Sequence, residues 1–214
     1  MPEPTMTPRE RYRSQVRAEI KQHAWEQIAT TGASALSLNA IAKQMGMSGP
    51  ALYRYYASRD DLITELIRDA YRSLADTVQA AAAAGADLAG LAHAMRAWAL
   101  EDPHRYLLIY GTPVPGYKAP DDITLISAEI MTALLDAAVK LPARTPSTPL
   151  DAHLADHRDW AAGHPAPPEA LHRALSFWTR VHGVLSLELA GHFSGMRIDT
   201  ALLFETELND LLAP

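Results

Sequence analysis

Apolar residues recur at helical spacing along nearly the whole chain, and no stretch alternates convincingly enough to be a strand. Residues 7–31 carry Tyr12, Val16, Ile20, Ala24 and Ile28 on one stripe, which predicts a first helix stopped by Gly32. Two short helices follow, over residues 38–45 and 48–56. Ser58 is the expected cap of a fourth helix, whose Leu62, Leu66, Ala70 and Leu74 lead into the alanines near residue 84. Further helices are predicted over residues 87–101, 103–110, 121–141, 169–193 and 199–212. GTPVPGYKAP, with two glycines and three prolines in ten residues, is a loop. Residues 142–168 lack a clear period, and a long loop with a helical piece near residues 154–161 is expected there. The reading is all-α.

Residues 38–61, LNAIAKQMGMSGPALYRYYASRDD, change the picture from architecture to chemistry. Ile41, Ala42 and Met45 give the first short helix one apolar side, with Ser37 as its cap, and Gly46 ends it. In the second, Leu52 and Tyr56 share one face and pack inward. Gly49, Pro50, Ala51, Tyr53, Arg54 and Tyr55 are left to solvent. Small residues ahead of hydroxyl and guanidinium groups suit a helix entering the major groove of DNA, so the pair reads as a helix-turn-helix. Phosphate anchoring falls to Tyr53, Tyr55, Arg59 and helix N-termini. Ser37 and Ser48 are caps that either double as phosphate ligands or only cap. With Pro50 lacking an N–H, the Ser48 hydroxyl is expected to bond Ala51. Base reading falls to Gly49, Pro50 and Ala51 through apolar contact and to Arg54 through guanine. Arg9, Arg11 and Arg13 are either a flexible arm over the duplex or a solvated tail.

Charge sharpens this reading. The chain of 214 residues has net charge −6, yet residues 1–59 hold eight Lys and Arg against four acids, leaving −10 for the remainder. A basic end on an acidic body fits one end meeting phosphate. The apolar fraction of 48% is that of a globular protein, and no run approaches the length of a membrane span. With no cysteine and a polar, proline-bearing start, a cytoplasmic location is expected, without disulfides or thiolate metal sites.

In register and without gaps, Ile20, Ala24, Gly32, Ser37–Leu38, Ile41–Ala42, Gly46–Met47–Ser48, Leu52–Tyr53, Tyr55–Tyr56 and Ser58–Arg59 before Leu62 resemble the N-terminal domain of the tetracycline-repressor (TetR) family of bacterial transcription regulators. The family often has lysine at Arg59 and phenylalanine at Tyr56. The first difference keeps the charge, and the second adds a hydroxyl that needs a partner if buried. Trp178, Arg180, Val181, His182 and Gly183 resemble a subgroup whose C-terminal domain is named for a tryptophan–histidine–glycine motif.

The resemblance implies a three-helix helix-turn-helix DNA-binding domain over residues 1–57 and a helical ligand-binding and dimerisation domain over residues 58–214. It also implies a homodimer on a double-stranded operator, a repressor released by a small-molecule effector, and transmission through the fourth helix. Trp98, Tyr106, Tyr110, Phe177, Trp178 and His182 are the candidates for an effector pocket, with Gly111–Tyr117 as its rim; packed core aromatics would look the same. Arg180, Val181, Val184, Leu185, Glu188, Leu189 and His192 are candidates for the subunit interface, with internal core as the alternative. No cofactor and no catalytic function are expected. His153 and His157, with His164 nearby, have metal-like spacing, but Leu154 stands where a zinc hydrolase needs glutamate, so no metal is expected.

Overall fold

The computed structural model describes residues 6–111, 117, 120–142 and 148–213. Among them there are α-helices and short 3₁₀ turns and no strand, and no helix is long and apolar enough to cross a membrane. The chain forms two compact units, with the division at Ile67/Arg68. The loop at residues 111–120 falls mostly outside the described residues, as does the part of the 142–168 segment at residues 143–147.

The first unit holds α1 (Pro8–Thr31), α2 (Leu38–Gln44), α3 (Gly49–Tyr53) and the opening turns of α4 (Arg59–Ala83). Val16, Ile20, Ala24 and Ile28 face its core, but Tyr12 is 65% exposed and leaves the predicted stripe. The reason is that residues 6–15 are all exposed, so the first turns of α1 have no neighbour to bury against. They are helical because Thr7 and Glu10 form a reciprocal cap, Thr7 N donating to Glu10 Oε2 at 2.7 Å and Glu10 N to Thr7 Oγ1 at 3.3 Å. Arg9, Arg11 and Arg13 therefore stand exposed on a capped helix, which corrects the expectation of a flexible arm or a loose tail. Gly46, at φ +65°, ends α2, and Met47 N reaches back to Ala42 O at 2.8 Å. Helix α3 is shorter than predicted, because Arg54 and Tyr55 form a turn after it. The boundary expected at 57/58 falls before α4, yet Leu62, Ile63 and Leu66 at the start of that helix are fully buried within the first unit.

The second unit continues from Arg68 through α5 (Leu88–Glu101), α6 (Pro103–Tyr110), α7 (Asp121–Ala138), α8 (Pro149–Asp156), α9 (Pro168–Leu189) and α10 (Thr200–Leu212). Helix α9 is its axis and packs against α5, α6, α7, α8 and α10. It can do so because Ala170, Leu171, Ala174, Phe177, Val181, Val184 and Leu185 recur at helical spacing and are all buried. Burying a side chain such as Phe177 contributes about 2–3 kcal/mol. Arg173 on the same helix donates to Ala138 O (3.4 Å) and Pro142 O (2.8 Å), satisfying carbonyls at the end of α7. Helix α8 begins earlier than the expected 154–161 piece, because Thr148 and Asp151 make a reciprocal cap. Asp151 is buried and takes a 2.8 Å bond from His172, which ties α8 to α9.

Candidate DNA-binding surface and regulatory core

In the first unit, Leu52 (0% exposed) and Tyr56 (2%) point into the core, and the rest of the second short helix faces out. Ser48, Pro50, Tyr53 and Arg54 are exposed, and Gly49, Ala51 and Tyr55 are half-buried. The Ser48 hydroxyl makes no capping bond; Ser48 O accepts from Ala51 N at 2.9 Å in its place. The expected hydroxyl bond to Ala51 is thus replaced by a backbone one, and the exposed hydroxyl is left to solvent. Ser37 does cap, accepting from Ala40 N at 3.3 Å, and its own N–H donates to Gln27 Oε1 at 3.0 Å, pinning α2 to α1.

Two arginines that sequence alone cannot separate from Arg54 are engaged inside the unit. Arg59 Nη2 donates to Ala33 O (3.0 Å) and Ser34 O (3.1 Å), clipping the start of α4 to the turn after α1. Arg17 pairs with Glu65, donates to Tyr55 O at 3.3 Å and lies 4.6 Å over the Tyr56 ring; Lys21 reaches Glu65 at 3.2 Å. Burial raises the Glu65 carboxyl, but bonds from Arg17, Tyr56 and Lys21 outweigh it and hold the group below its ordinary value. The Tyr56 hydroxyl, which distinguishes this chain from the usual family pattern, thereby has its partner in Glu65. The Arg17–Glu65 pair spans 48 positions, so no local spacing advertises it.

In the second unit, α6 presents Tyr106 and Tyr110 four residues apart, and α9 presents Trp178 and His182 four apart, so two pairs meet face to face. Ring centroids lie 4.2 Å apart for Tyr110–His182 and Trp178–His182, 5.6 Å for Tyr110–Trp178 and 5.2 Å for Tyr106–Tyr110. Tyr71 on α4 joins edge-on at 5.8 Å from Tyr110, a member that sequence reasoning missed because it lies off the apolar stripe. The Tyr106 hydroxyl is 2.9 Å from His182 Nδ1 and 3.0 Å from Ser186 Oγ. Burial pushes His182 down to about 4 and Tyr106 up to about 12, the latter against a lowering bond from Ser186.

Trp98 is separate from this group. Its Nε1 donates to Ser73 Oγ at 3.0 Å, and the Arg105 guanidinium covers its ring at 4.5 Å. Phe177 is plain core. Two open surface depressions, of about 430 and 610 Å³, are lined by other side chains, the smaller by Leu91, Glu129, Thr132 and Asp136 among others. The candidate rings pack on one another.

The interface candidates divide. Val181, Val184 and Leu185 are buried in the chain's own core, with Val181 and Val184 also at the floor of a shallow apolar groove beside Arg180 and Glu207. Half-buried Leu189 packs against the same core. Glu188 is held by Arg96 (2.7 Å) and Thr200 Oγ1 (2.7 Å), and Arg180 lies 3.9 Å from Glu207 of the same chain. His192 is exposed. The outward row of α9 runs instead through Arg180, Gly183 and Leu187, the last 44% exposed, and Leu202 on α10 is 65% exposed. His153 and His157 stack at 3.9 Å, His157 Nδ1 is 3.0 Å from His153 O, and His164 turns to Asp136. Among the described residues no three His, Asp or Glu side chains are placed to share a metal.

An all-helical chain whose small N-terminal unit shows a helix-turn-helix defines a class, the helix-turn-helix DNA-binding transcription regulators. Residues 20–66 match the model of bacterial regulatory proteins of the tetR family, and residues 88–211 match the tetracyclin repressor-like C-terminal domain. The chain belongs to the TetR family. It is 34% identical to the HTH-type transcriptional regulator Rv1816 of Mycobacterium tuberculosis, over 94% of this chain and 92% of that one. The solved structure of SCO4313, described as a regulatory protein, is 72% identical with TM-score 0.90, covering 97% of this chain and 100% of that one. A TetR/AcrR-family regulator from Thermobifida fusca shares the fold at 16% identity, with TM-score 0.58 and coverage of 93% and 97%.

Proposed function

We propose that this regulator acts in the cytoplasm as a homodimeric repressor, binding a palindromic operator that it leaves when a small, mainly apolar molecule enters the second unit. The observation that carries the DNA-binding half is the outward set of α3 and the turn after it. Tyr53 and Arg54 are exposed, and their neighbours Ser48 to Ala51 are small. A Cβ on Gly49 would meet only Asn39 Oδ1, at 3.6 Å, so packing does not demand glycine there, and close approach to a base edge accounts for it. Tyr53, Tyr55 and Ser48 anchor phosphate and Arg54 reads guanine in this scheme, while Arg59 serves the first unit's own structure. One recognition helix per chain requires two copies, with half-sites about 34 Å apart or a modest multiple of that. The exposed row Arg180, Gly183, Leu187 with Leu202 and His192 is the proposed subunit face.

The effector half is supported by the aromatic group at Tyr106, Tyr110, Trp178 and His182, with α4 as the connecting element because the one helix runs from the first unit into the second. Release needs the effector to prefer the arrangement that no longer fits the operator, and about 2.7 kcal/mol of preference is a hundredfold loss of affinity. The close packing of the same rings favours a second reading, a regulator that needs no effector. Selection from a random duplex pool, followed by sedimentation of the protein alone at micromolar concentration, tests the first half. Enrichment of a two-fold symmetric sequence and a dimer are expected. A monomer, or a pool that stays random, would sink the proposal.

A further inference from the structure

Two buried polar atoms in the aromatic group have no hydrogen-bond partner among the described residues, Tyr110 Oη and His182 Nε2. Nearly all buried polar groups are satisfied, so two orphans on rings 4.2 Å apart call for a reason. The bonds around Tyr106 decide what the histidine offers. The Tyr106 phenol oxygen lies 2.9 Å from His182 Nδ1, 3.0 Å from Ser186 Oγ and 3.4 Å from His182 O. We assign its proton, more acidic than that of Ser186, to the shorter bond to Nδ1, with Ser186 donating to the phenol oxygen. That assignment leaves the imidazole proton on Nε2, so both orphans are donors. The rings touching Tyr110 and His182 are Tyr71, Tyr106 and Trp178, none of them charged, and burial keeps the imidazole itself neutral. A carboxylate placed here would lose its water and find no counter-charge on these rings. Trp178 is the half-exposed member whose displacement opens the group, and a flat apolar molecule replaces its ring contacts in kind.

We propose that Tyr110 Oη–H and His182 Nε2–H are the polar contacts of the effector site, and that the effector is an uncharged aromatic molecule carrying a carbonyl oxygen. This rests on reading the second unit as effector-binding.

Calorimetry on the full chain with three matched probes tests it: 2-acetylnaphthalene, 2-ethylnaphthalene and 2-naphthoate. The ketone is expected to bind at least about tenfold more tightly than the hydrocarbon, and the carboxylate most weakly, since the described rings offer donors but no charge. Tyr110→Phe removes an unpartnered hydroxyl and should fold normally, bringing ketone and hydrocarbon within about twofold of each other. Equal binding of ketone and hydrocarbon, preference for the carboxylate, an unchanged ratio in Tyr110→Phe, or no binding of any probe overturns the proposal. Operator binding measured in parallel separates the two readings. Ketone selectivity without DNA release leaves this site standing and removes effector-driven release. DNA release by compounds showing no such selectivity removes the site's assigned chemistry and leaves effector-driven release in place.

Discussion

In the first unit the side chains with chemistry to offer, Tyr53 and Arg54, face outward, and the fold is held partly by ions: Arg17 and Lys21 on Glu65, and Arg59 on two carbonyls. In the second unit the conspicuous side chains turn inward, and Tyr106, Tyr110, Trp178 and His182 pack ring on ring. Size explains the contrast. Helices of seven and five residues bury few side chains, and a small unit covers less of its surface, so charged clips supplement the core. A 22-residue helix such as α9 buries a long apolar row and has room beside it for an internal polar network. Conspicuous residues in the small unit are thus available to a partner, and those in the large one are first of all structure.

The contrast breaks most visibly at Leu52. It is fully buried in a unit with little core to spare, so Leu52→Ala should cost that unit about 3–4 kcal/mol. Amide exchange should then show α2 and α3 losing protection while α9 keeps it, with DNA binding lost. The second unit has its own weak point in acid. The folded state holds His182 at about 4, whereas the unfolded chain takes up the proton near 6.5, so stability is full above that range and declines as pH falls from about 6.5 to 4. The decline is on the order of 3 kcal/mol, and urea titrations of the wild type and His182→Phe should differ in slope over this window alone.

Arg54→Ala sharpens the outward half of the comparison. It should weaken operator binding by about 2 kcal/mol and relax one position in each half-site, leaving thermal stability unchanged. Tyr53→Phe should weaken operator and scrambled duplex alike, as a phosphate contact does. The smallest effect belongs to the clip. Glu65→Gln should cost about 1 kcal/mol at neutral pH, because the pair is partly exposed and solvent screens it. The folded Glu65 is lowered, so its contribution is present above about pH 4.3 and disappears as pH falls through the folded value; variant and wild type should converge there.

Much of this was legible in one dimension. Apolar spacing located the buried residues of α1 from Val16 onward, and Gly46 and Ser58 marked where helices stop and start, because period, turn geometry and capping are local properties. The inward pair Leu52 and Tyr56 and the outward Tyr53 and Arg54 followed from helical geometry alone. Tertiary structure decided what each exposed or apolar face meets. Tyr12 continues the stripe of α1 but extends past its neighbours, and Val181, Val184 and Leu185 form a face that a subunit or the chain's own core could equally cover. Arg59 and Arg54 look alike in sequence, yet one is tied to Ala33 and Ser34 and the other is exposed. Periodicity says which side chains share a face. Only the packing of segments far apart in the chain, as in Arg17 with Glu65 or Tyr106 with His182, settles what that face is pressed against.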